Sequence, residues 1–260
     1  MTGARRWQLV AAAAVAAIVV APALAQTTPE AIAVGAFSQA QPGDPLPADW
    51  APLTFRRIDR HTRYTLVRDD ERGTVVEANA DASASGLVRK LDVDAKAWPA
   101  LAWSWKVERP VEKGDVTRKS GDDYAARVYV TFRVPPEKLS PFERMTRSAA
   151  RAMFGDDVPD AGLAYIWDSR APPGTIVPNP YTDRVRMIVV ESGNARAGRW
   201  FSYVRDFAAG YRAAFGADPP PVSGVAVMTD TDNTGERVRA RYGDIALSRA
   251  PSVRKDPARP

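Results

Sequence analysis

From Tyr124 to Val134 the chain alternates without a break. Tyr124, Ala126, Val128, Val130, Phe132 and Val134 fall on one parity, and Asp123, Ala125, Arg127, Tyr129, Thr131 and Arg133 on the other. A period of two belongs to an extended strand with one buried face, because successive side chains point to opposite sides of the pleat. Shorter runs of the same kind recur near 54–59, 64–68, 74–80, 86–93, 101–107, 163–167, 185–191, 200–205, 222–229 and 237–247, separated by Pro, Gly, Asn and Asp. Many short strands with turn residues between them predict a mainly β protein. The expected form is an antiparallel β-sandwich or jelly roll rather than βαβ units.

Two short helices interrupt this pattern. Ser140 as N-cap, Pro141 at the first helical position and Glu143 in a capping box start one, and Gly155 supplies a left-handed stop. Phe142, Met145, Ala149 and Met153 lie along one side of it and Arg144, Arg147 and Arg151 along another. That basic stripe reads as a solvated face or as a contact for anionic lipid or an acidic partner. The second helix, 207–215, sets Phe207, Tyr211 and Phe215 on one stripe facing the core. Strand parity also places Leu101, Trp103, Trp105 and Val107 together, as core filler or as a sugar-stacking platform. Near the C-terminus, Ile245 and Leu247 sit on the opposite parity to Val238, Ala240 and Tyr242, and Gly243 suits a bulge that restores register.

The N-terminus has the form of an export signal. Arg5 and Arg6 precede an uncharged, apolar stretch from Leu9 to Leu24 that closes on Ala23-Leu24-Ala25. This predicts a cleavable signal peptide over 1–25, cut after Ala25, and a periplasmic or secreted protein. The stretch is short for a membrane span, which needs about 20 residues. After the cut we expect a flexible leader over 26–48, a single β-sandwich domain over 49–250 and a frayed tail over 251–260, with no transmembrane segment in the mature chain.

Composition excludes much chemistry. The chain has no cysteine, so the fold must hold without disulfides and thiolate sites are ruled out. Its single histidine, His61, excludes two-His metal sites, and no G-x-S-x-G elbow, G-x-G-x-x-G or phosphate loop occurs. The formal charge of +5 falls to +3 when Arg5 and Arg6 are removed, which is no nucleic-acid footprint, so no nucleic-acid partner is expected.

What chemistry remains lies in carboxylates, tyrosines and arginines. Asp122, Asp123, Arg127 and Tyr129 are the expected ligand-binding residues, since Arg offers a fork of donors and a carboxylate a set of acceptors. The alternative for this face is a solvent-facing strand with cross-strand ion pairs. Asp122, Asp123, Asp230 and Asp232 are also the candidate carboxylates of a glycosidase. Tyr129 or His61 as base, with Arg127 as clamp, are the corresponding choice for a lyase. Asp230-x-Asp232-x-Thr234-Gly235 imitates the start of a calcium loop, but Arg241 stands where the bidentate Glu is needed. Neither a metal nor a cofactor is expected.

The stretches LAWSWK (Leu101–Lys106), GDDYAARVYVTF (Gly121–Phe132) and GVAVMTDTDNTG (Gly224–Gly235), followed by YGDI (Tyr242–Ile245), resemble a bacterial family catalogued as domain of unknown function 3047. The likeness runs from about Trp50 to Leu247, with 135–160 as an insertion. It implies an exported β-sandwich without an established activity, similar to jelly rolls of the galactose-binding type. Three functions follow as expectations: a non-catalytic module for an envelope glycan, a structural protein that binds another envelope protein, or a polysaccharide hydrolase or lyase.

Overall fold

The computed structural model describes residues 30–142, 144–145, 147–148 and 159–249. The expected signal peptide, the start of the expected leader and the C-terminal tail lie outside these residues, as do Glu143, Ala149, Arg151, Met153 and Gly155 of the first expected helix.

The strands are β1 (Ala31–Gly35), β2 (Ala51–Leu53), β3 (Arg63–Asp69), β4 (Gly73–Asp81), β5 (Ala84–Val93), β6 (Ala100–Val107), β7 (Arg127–Phe132), β8 (Ala161–Asp168), β9 (Ile176–Asn179), β10 (Thr182–Ser192), β11 (Trp200–Asp206), β12 (Val222–Asp230) and β13 (Arg237–Ser248). Helix α1 (Phe207–Phe215) follows β11. They form a sandwich of a six-stranded sheet, β11-β6-β13-β4-β3 with β1 on β13, and a seven-stranded sheet, β2-β5-β12-β7-β8-β10-β9. From β4 to β7 the chain steps from one sheet to the other at each strand. The last two strands then insert at the centres, β12 between β5 and β7 and β13 between β4 and β6. This wrapping is the jelly-roll pattern. One pairing departs from the antiparallel expectation: β10 runs parallel to β8, because β9 intervenes and pairs antiparallel to β10.

The core lies between the sheets. Leu101, Trp103, Trp105 and Val107 of β6 all face inward, so the paired indoles are core rather than a sugar platform. Trp103 stacks on Tyr165 at 4.9 Å, and Trp105 meets Trp167 and Tyr203. Helix α1 starts at Asp206, whose carboxylate accepts from the Ala209 N–H (2.7 Å), and stops at Gly216 in the left-handed region (φ 69°). It presses Phe207 and Tyr211 onto Phe132 at 5.9 and 4.7 Å. The bulge in β13 falls between Tyr242 and Ile245, and Gly243 is needed there because a Cβ would lie 2.3 Å from Ser104 Oγ.

Three expectations are corrected. The flexible leader is structured in part: β1 pairs with β13, and Phe37 is fully buried against Trp50. The strand expected at 54–59 lies earlier, as β2, and pairs with β5. Of the stripe's arginines, the described Arg144 and Arg147 bond within the protein instead of standing free, and Arg151 lies outside the described residues. Arg147 pairs with the buried Asp160 (2.8 Å) and donates to the Val134 carbonyl, while Arg144 donates to the Leu139 carbonyl. Among the described residues, Phe142 and Met145 are the large apolar side chains exposed there.

Candidate functional site

Strand β7 begins at Arg127, later than the alternation suggested. From there Val128, Val130 and Phe132 point into the core, and Arg127, Tyr129 and Thr131 point to the outer side of the seven-stranded sheet. Tyr124, expected among the core residues, precedes the strand. It packs instead on that outer side with Val116, Ala164 and Ile166. The neighbours of Arg127 and Tyr129 across the sheet are Met228 and Ala226 of β12 and Ile166 and Ala164 of β8.

The structure brings Asp122, Asp123, Arg127 and Tyr129 together, and adds Asp230 from the end of β12. Arg127 is buried, at 3 % exposure. Its Nε donates to Asp230 Oδ1 (3.0 Å), and one terminal nitrogen makes a close contact with Asp230 Oδ2 and donates to the Asp122 carbonyl (2.8 Å). The other donates to Tyr129 Oη (3.2 Å) and lies 3.5 Å from Asp122 Oδ1. Tyr124 covers one face of the guanidinium at 4.4 Å. An arginine has five N–H donors, and each here meets a protein acceptor.

Asp123 is equally committed. Its carboxylate accepts from the backbone N–H and side-chain amide of Asn233 and from the Thr234 N–H, which holds the β12–β13 turn. Asp230 also accepts from the Tyr124 N–H (3.2 Å). Its fixed partners leave it no free face from which to protonate a glycosidic oxygen, which removes it from the candidate acids. Carboxylate oxygens of Asp123, Asp230 and Asp232 lie within 4.8 Å of one another.

Burial raises the pKa of Asp122 and Asp230, against the attraction of Arg127 and with the help of the neighbouring carboxylates. The Tyr129 phenol is pushed up to about 12, first by burial and against the pull of Arg127. Behind the cluster, Tyr242 of the opposite sheet donates to the Met228 carbonyl (2.7 Å) and accepts from the Arg127 N–H (3.3 Å). The stretches GDDY, MTD and YGDI therefore meet at one point across the sandwich seam.

Tyr181, in the β9–β10 turn, was not legible as a site residue. Its ring is 57 % exposed, its hydroxyl reaches Asn233 Oδ1 at 3.3 Å, and Lys119 Nζ stands 5.3 Å from the ring. Partial burial and the charges of Asp122 and Asp232 raise its phenol pKa, which places it beside the acidic cluster. The rim around the buried clamp thus carries Tyr129, Tyr181, Asp232, Asn233 and Lys119. His61 is elsewhere, exposed in the β2–β3 connection with Nε2 3.1 Å from the Ile58 carbonyl, far from the role of base beside Arg127.

Residues 48–246 match the family described as protein of unknown function (DUF3047). The chain belongs to this family. The converging stretches all fall inside that match. A search of curated proteins gave no match. Among solved structures, the chain is similar to the family 11 carbohydrate-binding module of the cellulosomal cellulase Lic26A-Cel5E of Clostridium thermocellum, at 9 % identity and a TM-score of 0.38, over 80 % of this chain and 92 % of that one. The family 11 xylanase from Neocallimastix patriciarum follows at 10 % identity and 0.32, over 84 % and 95 % of the two chains. The xyloglucanase domain of a type three effector from Sinorhizobium fredii stands at 8 % and 0.36, over 77 % and 98 %. Likeness at this level carries no argument about function.

Proposed function

We propose that this member of the family is an exported, non-catalytic carbohydrate-binding protein, with the glycan held at the rim of Tyr129, Tyr181, Asp232 and Asn233. The observation that supports this reading is the pairing of an exposed and a half-buried tyrosine ring with carboxylate and amide groups on a scaffold that Arg127 pins in place. A sugar ring lays its C–H face on an aromatic side chain and donates its hydroxyls to carboxylate oxygens. Asp122, Asp123 and Arg127 hold these contacts in position, and a site that is already ordered loses less freedom on binding. Export rests on Arg5, Arg6 and the cut after Ala25.

Glycan arrays and pull-down on protein-free sacculi with residues 26–260 test the reading. Retention that falls about tenfold in Tyr181→Ala, as for loss of a good aromatic contact, is the expected result. Binding that is the same in Tyr181→Ala as in the parent removes the glycan from this rim. Retention on envelope protein and not on sacculi makes the partner a protein.

A further inference from the structure

The opposite face of the sandwich carries a second, chemically different site. On the outer side of the six-stranded sheet lies an open cleft of about 600 Å³. Arg60, Arg63, Arg109, Arg237 and Arg239 line it together with His61, against the carboxylates of Asp81 and Glu108. The sheet register produces this gathering. Arg239 stands across from Asn79 and Arg237 from Asp81 on β4, and Arg63 of β3 pairs with Asn79 from the other side.

Local pairing does not neutralise it. Arg109 is committed to Glu236 at 3.0 Å, but Arg60 and Arg237 share one oxygen of Asp81 at 2.6 and 2.8 Å, and Arg239, which donates to Asn79 Oδ1, lies 3.7 Å from Glu108. Arg63 is exposed and has no ion-pair partner among the described residues. Two guanidinium groups on one carboxylate, and a third with none, leave donors turned to solvent within a concave surface, where like charges reinforce one another's potential.

We propose that this cleft binds an acidic polysaccharide, a chain of uronic-acid type. Arginine forks match carboxylate oxygens in a bidentate fashion. The interspersed Asp81 and Glu108, with Asn79 beside them, accept hydroxyl donors. A uronate chain offers both kinds of group along its length. A DNA backbone offers phosphates but almost no hydroxyl donors for Asp81 and Glu108 to accept from, and no Trp, Tyr or Phe lines the cleft to stack a base. The site uses none of the residues of the tyrosine rim and stands independently of it.

Affinity electrophoresis and calorimetry with a galacturonate oligomer, a neutral oligosaccharide of equal length and a single-stranded DNA oligomer decide the matter. In the Tyr181→Ala background, which removes the rim's contribution, the galacturonate oligomer binds, the neutral one does not, and added salt weakens binding as the screening length falls from about 10 Å at 0.1 M to about 3 Å at 1 M. Arg63→Ala with Arg239→Ala lowers the affinity by about tenfold or more, as charge-assisted hydrogen bonds should. The melting temperature stays within a few degrees because both residues are exposed, and the paired Lys substitutions recover part of the binding. Tyr181→Ala leaves galacturonate binding unchanged, which separates this site from the rim. No binding of the oligomer, equal binding of the neutral chain, tighter binding of DNA, or an unaffected double variant overturns the proposal.

Discussion

Arg127 shows what a strand's alternation can and cannot reveal. Its parity was readable: it points away from the inter-sheet core, as Val128 and Val130 point into it. Its burial was not, because the covering groups come from Asp230, over a hundred residues along the chain, and from a loop that folds Tyr124 back over the guanidinium. An arginine read as an exposed ligand contact is therefore a clamp inside the protein. Removing one partner of a buried ion pair strands the other charge, so Arg127→Ala is expected to cost roughly 3–5 kcal/mol. Replacing both Arg127 and Asp230 with apolar residues of similar volume should recover much of that loss, since a well-packed substitute is often neutral. Denaturant melts of the single and double variants measure this, and an unchanged midpoint in Arg127→Ala would return the arginine to the list of ligand contacts. Trp105 was easier to read: Leu101, Trp103 and Val107 on its own strand already argued for the core, and the ring is fully buried.

Among the elements, β1 was the least legible. Ala-, Gln- and Pro-rich sequence gives no periodicity, and the strand forms because Ala31–Gly35 adds to β13, more than two hundred residues away. Three tertiary contacts then fix it: the Trp50 indole donates to the Val34 carbonyl (3.1 Å), Phe37 packs on Trp50 at 5.3 Å, and Asp244 accepts from the Ser38 N–H (2.9 Å) and hydroxyl (2.6 Å). The parallel β8–β10 pair escaped notice for a related reason, since nothing local marks the crossover through β9. By contrast the β13 bulge was visible, because Ile245 and Leu247 break the parity of Tyr242 and only a glycine at 243 tolerates Ser104 so close. If β1 and its following turn belong to the folded domain, Phe37→Ala destabilises it by roughly 3–5 kcal/mol, the range for a large buried aromatic. Thermal and urea melts decide; a midpoint equal to that of the parent shows that the segment is docked without supporting the fold.

At the scale of the whole molecule, the sandwich is closed at one end by charge as well as by apolar contact. Tyr242 bridges from the six-stranded sheet to β12 and β7, and the acidic group of Asp122, Asp123, Asp230 and Asp232 gathers beside it from the loop before β7 and the β12–β13 turn. Such a concentration of carboxylates invites a divalent cation, yet the geometry assigns that role to the protein itself. Calcium takes 6–8 oxygen ligands. Here both oxygens of Asp230 face the Arg127 guanidinium, and those of Asp123 receive three N–H groups from Asn233 and Thr234. A metal at this point would have to displace an arginine whose Nε and one terminal nitrogen both face Asp230, and would strip the turn of the bonds that shape it. The expected outcome is that thermal melts recorded with chelator, without additive and with millimolar calcium superimpose. Asp232→Asn should leave all three curves together, since it is the exposed member of the group. An upward shift of several degrees on adding calcium, lost in Asp232→Asn, would show that the ion closes this end of the sandwich and that Arg127 only assists it.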